Sequence, residues 1–69
     1  MTSVSGIALC KIVERHGWTL KRVTGSHHIY AKAGASVIVC IPVHGNRDLP
    51  TGTLRSLLKD AGLSEADLD

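Results

Sequence analysis

A chain of 69 residues, 43% hydrophobic and 3% aromatic, supports one small core, so a single domain over residues 1–69 is expected. No apolar run is long enough for a transmembrane helix, no charged-then-apolar leader is visible, and two cysteines are too few for a disulfide scaffold. A cytoplasmic protein away from membranes is therefore expected. The formal net charge of +2 is unevenly spread: residues 1–47 carry six Lys and Arg against Glu14 alone, and residues 48–69 carry Arg55 and Lys59 against five carboxylates. The bland reading is an ordinary solvated surface; the sharper one is a polyanionic partner for the basic part.

Residues 5–17 read as a helix. Leu9, Ile12, Val13 and His16 recur at helical spacing, Ser5 or Ser3 can cap the start, and Gly17 can end it. His16 in the last turn suits the negative end of the helix dipole. Residues 18–23 and 27–32 then read as two strands joined by Gly25-Ser26, a two-residue hairpin signal in which Gly supplies the positive φ of a type II′ turn. That turn pairs Thr24 with His27, Val23 with His28, Arg22 with Ile29, Lys21 with Tyr30 and Leu20 with Ala31. Trp18, Leu20, Arg22, His27, Ile29 and Ala31 share one face, mainly apolar and expected to be the core. Thr19, Lys21, Val23, His28, Tyr30 and Lys32 share the other, expected to be wet.

Residues 36–41 form the third strand, apolar on both sides, and Pro42 ends it. Residues 43–48 are a loop. Leu54, Leu57, Leu58 and Ala61 mark a second helix over residues 49–62, with Asp48 or Thr51 as cap, Pro50 in the first turn and Gly62 with Leu63 as a Schellman ending. Ser64 to Leu68 either begins a short helix or frays. Cys10 and Cys40 read as small buried hydrophobes. The order predicts an α+β fold, α-β-β-β-α, with two helices packed on one face of a three-stranded antiparallel sheet.

The chemistry concentrates at Gly25-Ser26-His27-His28-Ile29-Tyr30. Adjacent strand residues face opposite ways, so His27 and His28 cannot share a role. RNA carries its own nucleophile, the 2′-hydroxyl. A histidine that takes its proton, with cations near the phosphate, can cut the strand without metal; general base catalysis is worth roughly 10²–10⁴ in rate. His28 fits that description as the catalytic residue. Lys21 and Lys32 are candidate RNA-binding cations beside it, Tyr30 a stacking surface, and Ser26 a further candidate RNA contact. The bland alternative is a plain surface histidine. His27, His28, Cys40 and His44 are metal-ligating types, but their spacing matches no zinc pattern, so neither metal nor other cofactor is expected.

The same residues carry a resemblance. Glu14-Arg15-His16-Gly17-Trp18, Leu20-Lys21-Arg22, Gly25-Ser26-His27-His28-Ile29-Tyr30, Ile41-Pro42-Val43-His44, Gly52-Thr53-Leu54-Arg55 and Leu58-Lys59-Asp60-Ala61-Gly62-Leu63 together resemble the HicA (YcfA-like) toxins, over nearly the whole chain. The resemblance implies a double-stranded-RNA-binding-like fold, cleavage of mRNA by one histidine, and neutralisation by a HicB-type antitoxin covering the active face. The histidine that carries over is His28. His44 also matches a family histidine, an auxiliary candidate that either orients substrate or serves structure. A monomeric free toxin is expected.

Two other classes compete. A non-catalytic double-stranded-RNA-binding module needs basic residues where its second helix begins, and residues 49–53 contain neither Lys nor Arg. A protein-interaction domain alone is compatible with a basic open face.

Overall fold

The computed structural model describes residues 3–68. Helix α1 spans Gly6–Arg15, strands β1, β2 and β3 span Thr19–Thr24, His27–Ala31 and Val39–Pro42, and helix α2 spans Thr51–Ala61, followed by a short 3-10 helix at Glu65–Leu68. The sheet is antiparallel in the order β1-β2-β3. Both helices pack on the face that presents Tyr30, Val39 and Ile41, and one cluster joins these to Leu9, Ile12, Val13, Trp18, Leu54 and Leu58. This is the expected α+β order.

Local chemistry sets the ends of the elements. The Ser5 hydroxyl accepts the Ala8 N–H at 3.1 Å and caps α1, a bond worth about 1 kcal/mol. Both helices end in paired bonds of the Schellman type: Trp18 N–H to Val13 O and Gly17 N–H to Glu14 O, then Leu63 N–H to Leu58 O and Gly62 N–H to Lys59 O. The start of α2 differs from expectation. Pro50 holds the N-cap position and no side chain caps the helix; Asp48 instead forms an isolated bridge with Ser5.

The hairpin turns at Gly25, φ 59°, with Ser26 outside the left-handed region, as a type II′ turn requires. Pairs Thr24–His27, Val23–His28 and Arg22–Ile29 form as expected. Beyond them the register shifts, and Leu20 rather than Lys21 lies opposite Tyr30. Lys21 is the extra residue of a β-bulge, which reverses the alternation of everything before it.

That bulge overturns the assignment of faces. Cross-strand partners share a face, and Tyr30 lies opposite Val39 and His28 opposite Ile41. Tyr30 is 1% exposed, and Val39 and Ile41 are fully buried. The inward residues of β2 are therefore His28 and Tyr30. His27 and Cys40 are exposed and Ile29 is half-buried on the other face. Trp18 is nonetheless in the core, with its indole N–H donating to Ala61 O at 3.3 Å. The bulge reconciles an inward Trp18 with an inward Tyr30. Leu20, expected in the core, stays exposed.

The third strand is shorter than its sequence pattern. Residues 32–35 form a turn, Ala35 N–H to Lys32 O at 3.1 Å, and pairing begins only at Val39. Val37 and Ile38 are left exposed, Ile38 by 58%. Pro42, the last strand residue, sits on an edge strand where its missing N–H is tolerated.

Residues 64–68 do fold. Leu68 reaches the core, and Asp67 ties the segment down. Its carboxylate accepts the Ser64 N–H at 2.8 Å and lies 3.6 Å from His16 Nε2. His16 Nδ1 lies 2.8 Å from Ile12 O; a carbonyl can only accept, so that nitrogen carries the proton.

Two outcomes test these features. A Cβ at Gly6 would overlap the Pro42 carbonyl oxygen, while one at Gly52 meets nothing within 4 Å. Gly6→Ala should cost about 1–3 kcal/mol and lower Tm; Gly52→Ala should be neutral or stabilise by about 0.4–1 kcal/mol. The Ser64 N–H, then the Ser64 hydroxyl and the nearby His16, hold the Asp67 carboxyl below the usual carboxylate range. A lowered folded pKa gives stability present above the unfolded value of about 3.9 and lost as pH falls through the folded one. The protection of the Ser64 amide against exchange, relative to its intrinsic rate, should therefore fall below about pH 4. Asp67→Asn should remove that dependence.

Candidate active site

His28 is the second residue of β2, opposite Val23 on one side and Ile41 on the other. It lies on the helix-bearing face, not on the open face where alternation had put it. Its ring is half-buried. Its side chain makes no hydrogen bond among the described residues, and no buried nitrogen there is left unsatisfied. Both ring nitrogens consequently keep access to solvent. A ring body held by the sheet with its nitrogens free is the arrangement a proton-transfer residue needs.

Tyr30, two residues on, has another job. Its ring fills the core and its hydroxyl donates to Glu14 Oε2 at 2.5 Å. Burial first, and then the bond to the Glu14 carboxylate, push its pKa well above the usual tyrosine value. Burial likewise raises the Cys10 thiol beside it. A ring 1% exposed offers no face to a base, so the stacking role expected of Tyr30 is withdrawn. An amphipathic tyrosine satisfies the core with its ring and α1 with its hydroxyl.

The other expected residues separate. Lys21 is the exposed bulge residue of β1. Lys32 lies just past β2, its side chain against Gly17 at the end of α1, four residues or about 13 Å along the strand from His28. Ser26 is half-buried in the turn, and its carbonyl accepts the Val43 N–H at 2.7 Å. That bond ties the loop after β3 to the hairpin. His44 follows directly and lines a cleft of about 470 Å³ with Pro42, Arg47, Asp48 and Thr53. His28, Ser26 and His44 thus gather at the turn end of the sheet, and Lys32 does not. Among the described residues no three His, Cys, Asp or Glu side chains converge as a metal site would need.

Two residues escaped the sequence reading. Glu14 is the partner of Tyr30; its signal was being the sole carboxylate of residues 1–47. Arg47 enters the cleft because its N–H closes a turn onto His44 O at 3.1 Å, which Gly45-Asn46 signals.

The family model described as HicA toxin of bacterial toxin-antitoxin matches residues 8–63, from α1 through the end of α2. The chain belongs to the HicA toxin family. It is a toxin of a toxin–antitoxin pair, and the family implies a cognate antitoxin as partner. The match spans the Gly25–Tyr30 segment, His44 and Arg47. No curated protein matched the chain. No described helix is long and apolar enough to cross a membrane.

Tyr30→Phe in this HicA chain should cost about 1.5–3 kcal/mol, the range for a hydrogen bond to a charged group. A raised folded pKa also means that the unfolded state ionises first, so stability falls as pH climbs past the unfolded tyrosine value of about 10. Chemical denaturation across pH 8–11 should show that loss in the wild type, and Tyr30→Phe should abolish the part beginning near pH 10.

Proposed function

We propose that this HicA chain is a metal-independent endoribonuclease that cleaves mRNA, and that His28 carries the proton transfer. The observation that supports this most is the unpartnered His28 side chain, half-buried on the sheet with open ring nitrogens, in a chain of the HicA family. In the proposed step His28 removes the proton of the 2′-hydroxyl, the 2′-oxygen bonds to the adjacent phosphorus, and the bond from phosphorus to the 5′-oxygen breaks. The leaving oxygen takes up a proton, giving a 2′,3′-cyclic phosphate and a 5′-hydroxyl. Lys21, exposed at the bulge of β1, and Ser26, in the hairpin turn, are the proposed substrate contacts. The toxin acts as a monomeric single domain in the cytoplasm, and the antitoxin silences it by covering His28 and its rim.

Expression of the wild-type chain should arrest growth, and His28→Ala should not. In a purified assay His28→Ala should lose roughly 10²–10⁴ in cleavage rate, and activity should persist in EDTA. His27→Ala, on the open face, should leave both rate and Tm nearly unchanged. A substrate with a single 2′-deoxy residue at the cleaved position should survive; its cleavage would mean that water attacks instead. An undiminished rate for His28→Ala would remove the site.

A further inference from the structure

With His28 on the helix-bearing face, the cations of the sheet do not surround it. The groups at its own end that can bind a phosphate are the Arg47 guanidinium and the His44 imidazole. We infer that the cleft between the end of β3 and the start of α2 seats the RNA nucleotide next to the cleaved bond, with Arg47 and His44 holding its phosphate. This rests on the nuclease reading above and adds the substrate's path to it.

The placement follows from three links. His28 lies opposite Ile41, and the next residue, Pro42, is a wall of the cleft. The bond from Val43 N–H to Ser26 O holds the loop against the hairpin turn. The turn from His44 to Arg47 then delivers both side chains to the same cleft. The cleft wall at Pro42 is thus one strand position beyond Ile41, the cross-strand partner of His28.

The chemistry of the lining suits a nucleotide. Pro42 and Pro50 give apolar walls for sugar or base, Thr53 offers a hydroxyl, and the volume of about 470 Å³ falls within the range of small-ligand sites. Arg47 makes no ion pair or side-chain hydrogen bond among the described residues, so its guanidinium fork is free for a phosphate. Asp48 is the one carboxylate in the lining. Its backbone is committed to the bridge with Ser5, which fixes the wall beside Arg47. An acidic antitoxin side chain would suit the same guanidinium; the apolar walls and volume favour the nucleotide.

The test uses a short single-stranded RNA with one 2′-deoxy residue at the cleaved position, so that binding is read without cleavage. Arg47→Gln should raise Kd about 10-fold and lower the salt slope of log K by about 0.7, and adding His44→Gln should raise Kd further. Lys59→Gln, at the other end of α2, should change neither. With cleavable RNA, Arg47→Gln should raise KM while leaving kcat within about threefold, the signature of lost ground-state binding. Equal Tm values for the variants exclude loss of fold. A Kd within twofold of wild type for the Arg47→Gln, His44→Gln double variant would overturn the cleft assignment, whatever that variant does to antitoxin affinity. A His28→Ala protein that still cuts RNA would remove the catalytic assignment, and the Kd comparison would still decide the cleft.

Discussion

The bond between the Tyr30 hydroxyl and the Glu14 carboxylate spans the layer between β2 and α1. A buried phenol needs a partner for its hydroxyl, and losing it would strand a polar group in the core. Glu14 supplies that partner from the last turn of α1. Once Tyr30 points inward, strand alternation leaves no choice for its neighbours. His28 must point to the helix side, and His27 and Ile29 must point away. The position of the candidate catalytic residue follows from how a tyrosine is satisfied two residues further on.

Much of the fold was legible because helix and turn chemistry is local. The Ser5 cap, the Gly62–Leu63 ending and the Gly25-Ser26 turn each involve residues within a few positions of one another, and each forms. The faces of the sheet were not legible. Alternation offers two assignments, and counting apolar residues chose the wrong one by scoring Tyr30 as wet. The bulge at Lys21 carries no sequence mark such as glycine, yet it sets the phase of Trp18 against that of β2. Without it Trp18 and Tyr30 could not both be inward. His28 was therefore singled out for a reason that the structure reverses, while the residue itself remains the strongest candidate.

The remaining misses share a cause: they depend on partners distant in sequence. Val37 and Ile38 have strong strand propensity, but pairing stops at Tyr30 and Val39, so propensity alone forms no strand there. Cys40 reads as a core residue and lies opposite Ile29 on the uncovered face. Asp48 reads as a helix cap, but its backbone is used in the bridge to Ser5. The same bridge, with Leu49 N–H to Val4 O at 2.8 Å, walls the cleft beside β3. No local pattern could announce a cleft assembled from a strand end, a turn and a distant helix cap.

The two faces of the sheet are consequently free to serve different ends. The open face, with Arg22, Ile29 and Cys40, is turned away from His28. A protein that silences His28 by occlusion must reach the rim where the hairpin turn, the end of β3 and the start of α2 meet. That rim is held by backbone bonds: Val43 to Ser26, Arg47 to His44 and Leu49 to Val4. Backbone bonds fix geometry without using side chains, which leaves His28, His44 and Arg47 unpaired among the described residues. A chain this small has little core to spare for orienting polar side chains. It meets that limit by letting the sheet hold His28 and letting the loop backbone hold His44 and Arg47.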